Sequence, residues 1–246
     1  MIEITIDGQT VSVEPGTTLL KAARAAGIEI PTLCAHEGLP PEGNCRLCSV
    51  EVTERGKTRL AMSCMYPANR DGLVVRTDTD RVRTARRFVL QMLADRNPKA
   101  PALRSLCEEY GVTPSAPEGV EPELCIRCGR CVRACETNGT NALSFAGRGW
   151  EREVTPPFHE ASEDCIGCLS CAEVCPTGRI TWEEKGGKRS VWGRAFDMVE
   201  CERCHDRYAT LEQLRFTGTD PETARLCPRC RKTLQQGRIR LGNREL

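Results

Sequence analysis

Cys165-Ile166-Gly167-Cys168-Leu169-Ser170-Cys171-Ala172-Glu173-Val174-Cys175-Pro176 sets four cysteines at C-x2-C-x2-C-x3-C spacing, and Cys125, Cys128, Cys131 and Cys135 carry the same pattern earlier in the chain. This is the spacing with which thiolates grip 4Fe-4S cubanes, and two copies predict two of them. With thiolate at every position, no coordination site is left open for a substrate, so the pair reads as a wire rather than a catalytic centre.

Working outward, the chain holds 17 cysteines in 246 residues, and only Cys107 stands outside groups of four. With 39% hydrophobic and 4% aromatic residues, large aromatic cores are not expected, and bound metal must supply much of the folding energy. Disulfides are the competing use of cysteine. No N-terminal apolar stretch resembles a signal peptide, and C-x2-C pairs in an intracellular chain favour metal. The longest apolar runs fall short of the roughly 20 residues a membrane span needs. A cytoplasmic location without membrane insertion is therefore expected.

Cys34, Cys45, Cys48 and Cys64 follow C-x10-C-x2-C-x15-C spacing. Four thiolates from one loop and one later strand suit a 2Fe-2S cluster, whereas zinc usually takes two C-x2-C knuckles. Gly43 before Cys45 favours a loop whose amides donate to cluster sulfur. Cys201, Cys204, Cys227 and Cys230 do form two such knuckles, separated by 22 residues. They read as a zinc-ribbon-like site, with a third cubane and rubredoxin-like iron as the alternatives. His36 reads as a hydrogen-bonding loop residue, His205 as superfluous beside four thiolates, and Trp150 as packing.

The fold expected is α+β. Ile2, Ile4 and Ile6, a turn at Asp7-Gly8, then Val11 and Val13 predict a hairpin. Thr17 or Thr18 caps a short helix ended by Gly27, and strand-like runs at 48–53 and 72–77 complete the opening of a β-grasp domain. Between Asp80 and Arg96, Val82, Ala85, Phe88, Val89, Met92 and Leu93 recur at helical spacing and predict an amphipathic connector helix. Five prolines (Pro98, Pro101, Pro114, Pro117 and Pro122) then predict an irregular linker around one short helix. The expected division is 1–79 for the 2Fe-2S domain, 80–121 for the connector and linker, 122–182 for the two-cubane domain, and 198–246 for the four-cysteine module.

The run Ile30-Pro31-Thr32-Leu33-Cys34-Ala35-His36-Glu37, then Gly43-Asn44-Cys45-Arg46-Leu47-Cys48-Ser49-Val50-Glu51-Val52, closely resembles the N-terminal ferredoxin domain of the large iron-sulfur subunit of respiratory complex I. The same region is similar in iron-only hydrogenases and in the diaphorase subunit of NAD-reducing hydrogenases. Met62-Ser63-Cys64 and Asp71 to Thr77 continue the resemblance, which extends to about residue 182, including Gly147-Arg148-Gly149-Trp150 and Val154 to Phe158 between the cubane runs. It implies a β-grasp 2Fe-2S domain and a bis-4Fe-4S ferredoxin-like domain. In two-cluster ferredoxins the fourth cysteine crosses over, which implies one cubane on Cys125, Cys128, Cys131 and Cys175 and another on Cys165, Cys168, Cys171 and Cys135. Relatives of this kind usually follow the connector with a further 4Fe-4S cluster on one histidine and three cysteines. Here that stretch, Arg96 to Cys107, has no histidine and one cysteine, so Cys107 reads as a buried apolar remnant and the region as degenerate.

The expected function is an electron relay between a flavoprotein that handles NAD(P)H and a catalytic hydrogenase or formate dehydrogenase subunit or a ferredoxin, within a transhydrogenase, bifurcating or hydrogenase-type complex. The resemblance also implies a small thioredoxin-like iron-sulfur partner. No G-x-G-x-x-G fingerprint follows a strand, which places nucleotide and flavin on another chain. The alternatives are an iron-only hydrogenase, for which the chain ends too soon, and a redox-sensing regulatory or assembly protein with a zinc ribbon. Net charge is +1, from 35 basic and 34 acidic residues. Arg81, Arg83, Arg86 and Arg87 read as a solvated face, and the basic tail residues do not outweigh three clusters to suggest nucleic acid.

Overall fold

Alternation of apolar residues builds the first hairpin. Strands β1 (Ile2–Ile6) and β2 (Gln9–Val13) pair antiparallel with Ile4 opposite Val11, and the connecting Asp7 and Gly8 both take positive φ, at 48° and 86°. Those are the angles that match the twist of a two-residue hairpin. This computed structural model describes residues 1–115, 124–221 and 224–242, the last six as backbone. Pro117, Pro122 and the side chains of Arg238 and Arg240 lie outside the described residues.

Of the two candidate caps, Thr18 is the one used. Its hydroxyl accepts from the Lys21 amide at 3.4 Å and starts α1 (Leu19–Ala25), a contribution of about 1 kcal/mol. Strands β3 (Ser49–Glu54), β4 (Lys57–Met62) and β5 (Leu73–Arg76) complete a five-stranded sheet of order β2-β1-β5-β3-β4, in which β1 and β5 run parallel and the other pairs antiparallel. Ile4, Ile6, Leu19, Val50, Val52 and Val75 form its core, each at 1% exposure or less. Each such side chain contributes about 1.5–3 kcal/mol on burial. The sequence pattern does not reveal the edge strand β4, because its first three residues are all exposed and Lys57 and Arg59 hide any alternation.

Thr79 caps α2 (Asp80–Arg96), which buries Val82, Arg86, Leu90 and Ala94, one residue every turn. Phe88 and Met92, counted in the apolar pattern, instead face solvent at 68% and 51% exposure. Pro101 opens α3 (Pro101–Tyr110), and Gly111 closes it in the left-handed conformation. Leu103, Cys107 and Tyr110 are its buried side, and burial pushes the Cys107 thiol up.

The remaining elements are α4 (Arg130–Thr137), β6 (Ser144–Ala146) paired with β7 (Glu153–Thr155), α5 (Ser170–Glu173), β8 (Trp182–Lys185), β9 (Lys188–Val191), β10 (Arg194–Glu200), β11 (Arg207–Thr210), α6 (Leu211–Phe216) and α7 (Pro228–Gly242). Strands β8 to β11 form an antiparallel sheet in the order β11-β10-β9-β8. Internal contacts divide the chain into two compact units. The first comprises Met1–Arg133, Gly147–Glu153 and Val174–Arg179; the second comprises Ala134–Ala146, Val154–Glu173 and Ile180–Leu246. Among the described residues no helix is long and apolar enough to cross a membrane.

Candidate metal centres

Within the first unit, the loop between Ile30 and β3 and the turn after β4 bring Cys34, Cys45, Cys48 and Cys64 together, all at 5% exposure or less. The Cys48 and Cys64 sulfurs are 3.3 Å apart, and the Leu33 amide donates to Cys45 Sγ at 3.4 Å. Sulfurs this close cannot all ionise unaided. Hydrogen bonds first from Cys45 and then from Cys64 hold the Cys34 thiol far below its ordinary range, while Cys34 pushes Cys45 and Cys64 far above theirs; Cys64 lowers Cys48 to about 7. A cation is what lets all four become thiolates. Nearby, the Arg86 guanidinium, 3% exposed, donates to Ser49 O at 2.8 Å and to the Tyr110 hydroxyl at 2.9 Å, and its Nε is buried without a partner. Among the described residues no carboxylate pairs with it, and a negatively charged thiolate-bound centre on Cys48, next in sequence to Ser49, would supply a counter-charge. The residues fit a 2Fe-2S cluster. His36 is exposed and accepts from the Gly38 amide at 3.2 Å.

In the first cubane run, the Cys128 thiol is pushed up by burial and feels Cys125 and Cys175 as neighbouring charges. Cys131 stands on the first turn of α4. Cys125, Cys128, Cys131 and Cys175 all belong to the first unit. Arginines brace this run: Arg127 donates to Cys125 O at 2.9 Å and to Arg152 O, and Arg130 donates to Ala35 O at 2.7 Å.

Cys135, Cys165, Cys168 and Cys171 lie in the second unit, where Cys165 and Cys171 each feel Cys135 and Cys168. These four cysteines line one cavity together with Ile166, Val191 and Trp192. N–H groups point at each of these sulfurs: Ala142 N at 3.2 Å from Cys135, Trp192 Nε1 at 3.5 Å from Cys171, Asn138 Nδ2 at 3.6 Å from Cys168, and the Gly167 amide at Cys165. Gly167 is required here, since its φ is +66° and a Cβ would sit 2.7 Å from Phe196 Cδ2. A cavity walled by four thiols with donors aimed at sulfur fits a cubane.

Cys201 and Cys204 follow β10, and Cys227 and Cys230 open α7; their ligand sulfurs all lie within 4.8 Å of one another. The Cys227 amide donates to Cys201 Sγ at 3.3 Å and lowers that thiol to about 6, whereas burial pushes Cys230 up to about 12. His205 is turned to Glu200, at 3.0 Å. The residues that sequence reasoning missed are Arg86, Arg133, Asn138 and Trp192. Nothing in their spacing marks them, because each acts through a contact made only in the fold.

Residues 1–80 match the 2Fe-2S iron-sulfur cluster binding domain, and residues 119–182 match the 4Fe-4S dicluster domain. The chain is 37% identical over 216 residues to the NADP-reducing hydrogenase subunit HndD of Solidesulfovibrio fructosivorans, covering 75% of this chain and 36% of that one. It is 31% identical over 255 residues to the mitochondrial NADH-ubiquinone oxidoreductase 78 kDa subunit of Candida albicans, covering 93% and 34%. It thus spans about a third of the length of these curated relatives. Among solved structures it is similar to the NAD+-reducing NiFe-hydrogenase in the H2-reduced state, with TM-score 0.62 and 31% identity over 72% of this chain and 86% of that one. The chain belongs to the family of iron-sulfur subunits shared by complex I and the NAD(P)-linked hydrogenases.

Proposed function

We propose that this chain relays electrons between a flavoprotein that handles NAD(P)H and a catalytic subunit or ferredoxin, in a multisubunit oxidoreductase of the hydrogenase, formate dehydrogenase or transhydrogenase type. The observation that carries it is that, among the described residues, the ligand groups brought together are made of cysteine thiols, a donor set that suits electron-carrying clusters rather than a substrate-binding metal. Iron-sulfur clusters, when bound, supply one-electron oxidation and reduction. The chain's own residues do the rest. Cys34, Cys45, Cys48 and Cys64 hold the 2Fe-2S centre. Cys125, Cys128, Cys131 and Cys175 hold one cubane and Cys165, Cys168, Cys171 and Cys135 the other. Leu33 N, Ala142 N, Asn138 and Trp192 donate to the sulfurs, and the apolar walls exclude water.

The crossed ligand sets are supported by their neighbours: Cys175 acts on Cys128, and Cys135 acts on Cys165 and Cys171. For Cys201, Cys204, Cys227 and Cys230 we favour one zinc ion. Tetrahedral zinc with Zn–S bonds near 2.3 Å places its sulfurs roughly 3.8 Å apart, close to the spacing here, whereas a cubane spreads four thiolates over four separate irons. That site would be a closed structural anchor, and the module 198–246 a docking element. The domain division 1–79, 80–121, 122–182 and 198–246, a cytoplasmic location and a small thioredoxin-like iron-sulfur partner belong to the same reading.

Iron, zinc and acid-labile sulfide analysis of the anaerobically purified chain tests it. About ten irons and one zinc are expected. About fourteen irons without zinc would make the last site a third cubane, and two to four irons would sink the relay.

A further inference from the structure

We propose that Arg133 is a shared positioning and charge-tuning residue, tying the ligand loop of the 2Fe-2S centre to that of the Cys125 cubane and raising the reduction potential of both. This rests on the relay reading above. The guanidinium is 4% exposed and lies wholly within the first unit. Its Nη2 donates to the carbonyl of Cys34, a ligand of the first set, and stands 3.5 Å from the carbonyl of Cys128, a ligand of the second. One nitrogen thus faces both ligand loops, while Nη1 donates to Pro40 O. Asn44 Nδ2 reaches the same Cys128 carbonyl at 3.4 Å. Cys34, Cys45 and Cys128 also share one apolar cluster with Leu47, Leu90 and Ile126.

The charge matters as well as the fork. The acid paired with Arg133 is Glu42, 3.0 Å from Nε, and the two differ in exposure: the Arg133 side chain is 5% exposed and that of Glu42 is 37%. Solvent screens the carboxylate more than the guanidinium, so a net positive field remains on the buried side. Each one-electron reduction adds one negative charge to a thiolate-bound site, the electron coming from the flavoprotein in the relay and from dithionite in a titration. A buried cation beside both ligand loops stabilises both reduced states.

EPR-monitored potentiometric titration of the full cluster-loaded chain tests this, with iron and sulfide content as the loading check. In Arg133→Gln the reduced-to-oxidised ratio at fixed poise falls about tenfold at the 2Fe-2S centre, equivalent to about 59 mV for a one-electron couple, and one 4Fe-4S signal falls with it. Arg133→Lys restores most of both shifts. Glu42→Gln removes the counter-charge and moves both centres the other way, severalfold. Should Arg133→Gln fail to load, the opposite shift in Glu42→Gln decides alone. Potentials unchanged in fully loaded variants, or movement of one centre without the other, overturn the proposal. Failure of the relay reading looks different: the unaltered chain itself lacks the clusters, or holds them without accepting electrons from a flavoprotein.

Discussion

The two C-x2-C-x2-C-x3-C runs have one ligand pattern and two surroundings. Their backbones agree: Arg127 and Gly129 in the first, and Gly167 and Leu169 in the second, take positive φ at matching places. Alternating turns of this kind aim successive amides inward at sulfur or anion. Beyond the backbone they part. The first run is braced through its carbonyls by arginines, with the Arg130 amide on the Cys128 sulfur, whereas the second has Ala142 N, Trp192 Nε1 and Asn138 Nδ2 from outside the run aimed at its sulfurs, with Arg189 on Gly167 O and Arg194 on Cys165 O behind them. The spacing that recruits a cubane is therefore independent of its surroundings: charged groups and oriented N–H dipoles act on both sites, from different partners in each.

The largest test of that comparison is ligand removal. Cys175→Ser removes about four irons, and adding Cys125→Ser removes no more; combining Cys175→Ser with Cys165→Ser removes about eight. Iron and sulfide analysis that found the opposite pairing would break the crossed assignment. Next is Gly167→Ala, which meets Phe196 and keeps a left-handed backbone. It should cost about 1–3 kcal/mol, read as a lower melting midpoint and poorer loading of the second site with the first intact. The pH dependence of reconstitution should differ too. Burial pushes the Cys171 thiol up to about 11, favouring the protonated form, and ligation requires its loss. Filling of the second site should thus speed up by as much as about tenfold per pH unit between about 7 and 9, followed anaerobically by absorbance. The smallest effect is Trp192→Phe. Losing its bond to Cys171 Sγ should lower the reduced fraction of the second cubane about two- to fivefold at fixed poise, with the first unmoved.

The β1–β2 hairpin, the Asp80–Arg96 helix and the gathering of Cys201, Cys204, Cys227 and Cys230 were legible because apolar alternation, helical spacing and ligand spacing are local signals. The β8–β11 sheet was not. All four residues of β8 are exposed, and β9 buries Arg189 alternately with Val191, so its inward face reads as polar. Arg189 is accepted there because it bonds Glu184 and Gly167 O, partners no sequence window contains. The same blindness hid Arg86, which the sequence offered as one of four arginines on a solvated face and which the fold buries in the stripe of α2 beside Val82 and Leu90.

Buried Arg86 also bears on the life of the chain before maturation. A newly made copy that has not yet received iron keeps a guanidinium in the interior with no carboxylate paired to it among the described residues. Such a copy opens more readily around β3 and α2 than a loaded one, and proteases act on opened chains. Cluster loading and resistance of the chain to proteolysis should therefore rise together, with one buried side chain coupling them.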